Sequence, residues 1–233
     1  MAQARPVLMI HGAGGGGWEW NVWRRVCAAA GFAVATPTLE PAAAGLEATT
    51  LDDYLMQLRA NWPARPPLLV GASLGGLLAL ALAAGRDCAA LVLVNPLPPA
   101  PEAARLPAHA GYPARIPWGR DASLAGTRRA LPDADEAACA YSARRWRDES
   151  GRVLTEARAG LALATPRCPI LVLGSVADED VPIELGAALA ARLSASFWRL
   201  PGSHVGPLLG RQAASVAAAV LGWAQASVRF TTD

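Results

Sequence analysis

Short, unbroken apolar runs alternate along this chain with longer stretches whose apolar residues recur at helical spacing. Pro6 to Ile10 is such a run; it ends at a cluster of glycines and reads as a buried strand. Trp18 to Ala30 predicts a helix ended by Gly31, and Phe32 to Thr36 a second strand stopped by Pro37. Pro41 to Thr49 reads as a loop. Leu51, Leu55 and Leu58 place a helix over Leu51 to Trp62, with Pro63 beyond its end. Leu68 to Val70 is a third strand, and Ser73 to Ala84 a helix closed by Gly85. Strands follow at Leu91 to Val94, Ile170 to Leu173 and Phe197 to Leu200, and helices at Pro182 to Leu193 and Val205 to Ala224. Parallel strands covered on both faces read as continuous apolar runs. The rhythm therefore predicts an α/β fold with a mainly parallel sheet of about six strands and helices on both faces.

Between Pro96 and Thr165 the rhythm stops. A proline-rich stretch over 96–118 gives way to Ala-rich, Arg-bearing segments of helical character such as Asp133 to Arg147. A long segment of this kind inside a compact domain is usually functional. It reads as one helical lid insertion, residues 96–165, over the mouth of a core made of residues 1–95 and 166–233.

Composition narrows the function classes. With 233 residues, 53% hydrophobic and 17% charged, the chain has ample material for a buried core. A net charge of +2 points neither to nucleic acid nor to an anionic membrane. All 21 basic residues are arginines, which excludes Schiff-base lysines and Walker-type phosphate loops. Cys27, Cys88, Cys139 and Cys168 form no zinc-type cluster and read mostly as buried free thiols. Leu68 to Ala84 is apolar enough to suggest a membrane span, but it is short and carries Gly71, Ser73, Gly75 and Gly76, so a buried strand turning into a buried helix explains it better. The absence of a targeting segment suggests a cytoplasmic protein.

The chemistry concentrates at Gly71-Ala72-Ser73-Leu74-Gly75, a G-x-S-x-G sequence set between an apolar strand and an apolar helix. That setting is what the motif requires. A sharp turn exposes the serine hydroxyl at the carboxyl end of the sheet, small residues two positions away avoid collision, and the Leu74 N–H faces the space where an oxyanion would form. The glycine run also satisfies G-x-G-x-x-G over Gly12 to Gly17, a dinucleotide-binding pattern. That pattern expects an acid at the end of the second strand, where this chain has Thr-Pro-Thr-Leu, and it leaves the serine elbow unexplained.

At this point the chain resembles the α/β-hydrolase superfamily over nearly its whole length outside the lid. The resemblance implies a serine hydrolase with Ser73 as nucleophile and a triad in the order Ser, acid, His. Of the three histidines only His204 follows a late strand. The acid belongs after Ile170 to Leu173, three residues before the Val of a Val-Pro pair, which is Asp178; the loop is one residue longer than usual, so Asp180 stands as the alternative. Asn95 occupies a place where some members carry the acid. The pair His11-Gly12 implies that Ala13 and Leu74 supply the oxyanion-hole N–H groups, with His11 tying the loop down. Gly17-Trp18-Glu19-Trp20 is loosely similar to the hydroxynitrile lyase and plant methyl-esterase branch. Trp23 reads as packing, and Trp18 or Trp20 as a pocket wall. The full fold begins with two further antiparallel strands, for which no room precedes Pro6, so an exposed sheet edge invites a homodimer or a covering segment.

The implied activity is hydrolysis of a small-molecule carboxylic ester or thioester through an acyl-serine, with no metal and no cofactor. Two other readings compete. One is a hydroxynitrile-lyase-like or C–C-bond-cleaving enzyme, disfavoured by the absence of lysine; the other is a small-ligand receptor on the same fold. The charges of the lid, Arg115, Arg120, Arg128, Arg129, Arg144, Arg145 and Arg147 against Asp121, Asp133, Asp135, Glu136, Asp148 and Glu149, read as a surface laced with ion pairs. The sharper alternative is that one or two of the arginines meet an acidic substrate group.

Overall fold

A computed structural model describes residues 4–227. Six parallel strands form one sheet: β1 (Arg5–Ile10), β2 (Phe32–Ala35), β3 (Leu68–Ala72), β4 (Ala90–Val94), β7 (Ile170–Ser175) and β8 (Ser196–Leu200). Their order is β2-β1-β3-β4-β7-β8, in register through pairs such as Met9↔Val70, Val70↔Val92 and Val92↔Leu171. β5 (Arg115–Ile116) and β6 (Glu149–Ser150) make a separate antiparallel ribbon that the sequence reading did not include. β3, β4 and β7 are buried throughout, as central strands covered on both faces must be.

Alternate side chains of these strands feed two cores. Leu8, Ile10, Leu69, Leu91, Leu93 and Val172 point to one face. There they meet α2 (Leu51–Ala60), α3 (Leu74–Ala83), α6 (Gly151–Ala159) and α7 (Ile183–Arg192). Val7, Met9, Val70, Val92, Val94 and Leu171 point to the other, against α1 (Asn21–Ala29) and α9 (Ala213–Ser227). Burial of these apolar faces is the main force holding the layers together.

Several boundaries differ from the sequence reading, each for a local reason. The segment 18–30 opens as a 3-10 turn, Gly17–Trp20, before becoming α1, and Gly31 ends it at φ +84°. α2 starts at a capping box between Thr50 and Asp53 and ends at Ala60. The expected single helix from Val205 to Ala224 is split into α8 (Gly206–Leu209) and α9, because Gly210 turns extended with its Cα face against the Gly206 carbonyl, where a side chain would not fit.

The segment 96–165 contains α4 (Leu124–Ala130), α5 (Glu136–Ala143), the β5–β6 ribbon and α6. α5 is shorter than the stretch Asp133 to Arg147 because the Asp135 side chain caps it by accepting the Ala138 N–H. α6 is not peripheral: Val153, Leu154 and Ala157 join the same core as α2 and α3. Among the described residues no helix is long and apolar enough to cross a membrane.

Candidate active site

The turn from β3 to α3 forces Ser73 to φ +52° and ψ −121°, a conformation that costs an L-residue of order 1–3 kcal/mol and persists only where the surroundings impose it. They do so through the backbone. The Ser73 N–H donates to Val94 O at 3.0 Å, and Ser73 O accepts from Gly76, Leu77 and Leu97. The glycines are steric necessities: a Cβ on Gly71 would stand 2.1 Å from Gly75 O, and one on Gly75 would stand 2.2 Å from Ile10 O. The serine thus sits at the first turn of an almost wholly buried helix, where N–H groups converge and the helix dipole favours negative charge.

Beside it runs the loop after β1. Gly12 lies against Ser73, close enough that a Cβ there would be 3.3 Å from Ser73 Cβ. The Gly12 N–H donates to Glu19 Oε2 at 3.1 Å, the Gly14 N–H to Glu149 Oε2 at 3.0 Å, and the Gly15 N–H to Gly12 O at 3.3 Å. Among the described contacts the N–H groups of Ala13 and Leu74 have no protein acceptor. His11 is structural. Its Nδ1 donates to Gly12 O at 2.7 Å while its Nε2 accepts the Leu39 N–H at 2.9 Å, and burial lowers its pKa from 6.5 to about 4, so it is neutral.

His204 stands in the loop between β8 and α8, and its Nδ1 is 2.7 Å from Asp178 Oδ2. The other oxygen of Asp178 accepts the N–H groups of Asp180 and Val181, both at 2.9 Å, which fixes the carboxylate. The Asp178 side chain is 1% exposed. Of the two candidate acids, Asp178 is the one bonded to the imidazole. Asp180 is exposed and near, and contributes only its charge. Burial pulls the proton affinity of His204 down. The hydrogen bond and charge of Asp178 outweigh it, with help from Asp180 and Glu19, so the pKa ends above its usual 6.5. Ser73 and His204 are brought to the same end of the sheet; among the described contacts they are not hydrogen-bonded to each other. Asp178, Asp180 and His204 are also the one grouping of metal-type ligands among the described residues, and there His204 Nδ1 and Asp178 are already committed to each other.

Four residues around the site escaped the sequence reading. Asn95, noted there only as a missing acid, adopts φ +42° and donates from Nδ2 to His204 O at 2.6 Å and to Ser175 Oγ at 2.9 Å, while its Oδ1 accepts the Ser175 N–H. It anchors the histidine loop to β4 and β7. Asp133 grips the same loop from segment 96–165, accepting from the N–H and hydroxyl of Ser203. Glu149 is buried and accepts from Tyr54 as well as Gly14, so it is no surface charge. Glu19 is 2% exposed, and burial raises its pKa from 4.5 to about 7, partly opposed by the Gly12 N–H and the charge of His204. A Glu between two tryptophans directly after a run of glycines was the available signal for it.

The tryptophans divide by role. Trp20 and Trp23 are buried edge to face, and Trp23 donates to Pro207 O, so both are packing. Trp18 meets Tyr141 and Trp146 of segment 96–165 edge to face. Arg115, Arg128 and Arg147 are engaged by Glu47 and Asp148, Glu136, and Glu40, in keeping with an ion-paired surface.

Comparison with known proteins finds the same fold elsewhere. Solved structures with the same fold include a metagenome-derived lipolytic enzyme (21% identity, 96% of this chain and 94% of that one, TM-score 0.70). A thioesterase domain from the curacin biosynthetic pathway is similar at 21% identity, over 96% of this chain and 92% of that one, TM-score 0.67. Tomato methylketone synthase I complexed with 2-tridecanone is similar at 14% identity, over 97% and 99%, TM-score 0.74. No curated protein is matched by the sequence. The profile described as "Alpha/beta hydrolase family" matches residues 7–219, nearly the whole chain, and the protein belongs to that family.

Proposed function

We propose that the protein is a serine hydrolase that cleaves a carboxylic ester or thioester through an acyl-Ser73 intermediate. The observation that carries the reading is the 2.7 Å bond between His204 Nδ1 and Asp178, made at the end of the sheet where Ser73 is held at φ +52°. In the first step Ser73 Oγ attacks the substrate carbonyl and His204 Nε2 takes its proton. Asp178 holds the ring in the tautomer that leaves Nε2 free to accept, and stabilises the imidazolium. The N–H groups of Ala13 and Leu74 receive the oxyanion. His204 then gives its proton to the departing alkoxide or thiolate, and water repeats the sequence to release the acid.

Segment 96–165 is the cover over this chemistry. It touches the site at three points: Trp146 and Tyr141 on Trp18, Glu149 on Gly14, and Asp133 on the His204 loop. The test is turnover of short and medium p-nitrophenyl esters by wild type and Ser73→Ala, with fluorophosphonate labelling in parallel. Labelling at Ser73 and a loss of turnover by about 10⁴-fold or more is expected. No labelling and no turnover would leave the ligand-receptor reading in its place.

A further inference from the structure

At the opposite end of the sheet from Ser73, two cysteines meet. Cys88 lies just before β4 and Cys168 just before β7, and their sulfurs are 3.2 Å apart. Strand register explains the meeting. β4 and β7 pair through Leu91↔Ile170, and the Leu91 N–H donates to Pro169 O; carrying that register back sets Cys168 beside Ala89, next to Cys88. Neighbouring strands are about 4.8 Å apart, a backbone spacing from which a disulfide can be closed by side-chain rotation. The sulfurs need move together by only about 1 Å to reach bonding distance. Cys27 and Cys139, by contrast, are buried singly.

Cys88 and Cys168 are both half-buried and stand in the wall of a cavity of about 670 Å³. The same wall carries Arg86, Arg167 and Asp87, with Arg86 over the ring of Trp62 at 5.6 Å. The pair therefore borders a space large enough for a small molecule, and its surroundings carry more positive than negative charge.

We propose that Cys88 and Cys168 are a dithiol modification site that closes to an intramolecular disulfide on reaction with a small anionic disulfide entering this cavity. Cys168, as thiolate, attacks one sulfur of the external disulfide and expels one thiolate, giving a mixed disulfide. Cys88 then loses its proton and attacks Cys168 Sγ, expelling the second. Two protein thiols are oxidised, one external disulfide is reduced to two thiols, and the two protons of the protein thiols end, by way of solvent, on the two leaving thiolates. The order follows from the hydrogen bond between the two. It lowers the Cys168 pKa, whereas it and burial together raise that of Cys88. The bridge would join the two strand roots between which the whole of segment 96–165 is inserted.

The experiment treats the full chain with oxidised glutathione, alkylates under denaturing conditions and maps the peptides. The expected result is a loss of two of the four thiols, one peptide pair linked through Cys88 and Cys168, reversal by dithiothreitol, and no linkage in Cys88→Ser. Oxidised glutathione should act about threefold or more faster than cationic cystamine, with the gap closing in high salt. Retention of all four thiols, or a stable mixed disulfide on Cys168 with Cys88 still alkylated, would overturn the closure. Cystamine reacting as fast or faster would overturn the anionic preference. None of these readouts involves Ser73.

Discussion

At the scale of the residue, the site turns on which proton sits where. In the proposed mechanism His204 accepts the proton of Ser73, which it cannot do while protonated below its pKa, and Asp178 has moved that pKa above 6.5. The acid limb of kcat/KM should therefore lie above pH 6.5, falling tenfold per pH unit below it. Asp178→Asn removes both the charge and the orienting acceptor. Its limb should shift to lower pH, with kcat down about 10³- to 10⁴-fold. Asp180→Asn removes a neighbouring charge only, so kcat should stay within about threefold of wild type and the limb should move slightly down. A pH–rate series on the three proteins checks this, and equal damage from the two substitutions would reassign the acid. The roles of Asn95, Asp133 and Glu149 were not legible in the sequence, because each acts on a partner far along the chain. Asp133, for instance, meets Ser203 across 70 residues. Until the fold brings its partner near, such a residue reads as one more charge on the solvent face.

At the scale of the element, the strand–turn–helix around Ser73 was legible because its constraints are local. Gly71 and Gly75 announce a crossing of backbones, and the apolar runs on either side announce burial. The ribbon β5–β6 was invisible for the opposite reason: two residues per strand carry no period. Glycines themselves divide by what their missing Cβ would meet, which spacing alone does not tell. Gly75→Ala would drive a methyl to 2.2 Å from Ile10 O and 2.4 Å from His11 O, prying α3 from the end of β1. It should cost about 2–4 kcal/mol and widen the gap between Ser73 and Gly12. Gly222→Ala, inside α9 where a Cβ would meet none of the described residues within 4 Å beyond its own helix, should gain about 0.5–1 kcal/mol from helix propensity. Thermal unfolding of the two variants should move in opposite directions. A neutral Gly75→Ala would mean that β1 and α3 are not in the close contact described.

At the scale of the whole molecule, the glycine loop beside Ser73 is tied to stability through two buried titrating groups that hold one residue from both sides. His11 bonds the carbonyl of Gly12, and Glu19 its N–H. Folding lowers the pKa of His11 from 6.5 to about 4, so its contribution is present above pH 6.5 and is lost as pH falls through that window. Folding raises that of Glu19 from 4.5 to about 7, so its contribution is present below pH 4.5 and is lost as pH rises through 7. Each trend is on the order of 3 kcal/mol, and between pH 4.5 and 6.5 they run against each other. His204, with its pKa above 6.5, is protonated both folded and unfolded over most of that range and contributes little slope. Asp53 and Glu136 are lowered as well, but both lie near the surface, where solvent screens the effect. Wild type should therefore unfold in urea with nearly constant free energy from pH 4.5 to 6.5. Glu19→Gln keeps an acceptor for Gly12 but cannot titrate, which leaves the His11 trend alone. Its stability should climb by about 2–3 kcal/mol across the same range. A Glu19→Gln profile that stays as flat as wild type would show that Glu19 is not held protonated, and that the glycine loop beside Ser73 rests on a charged carboxylate instead.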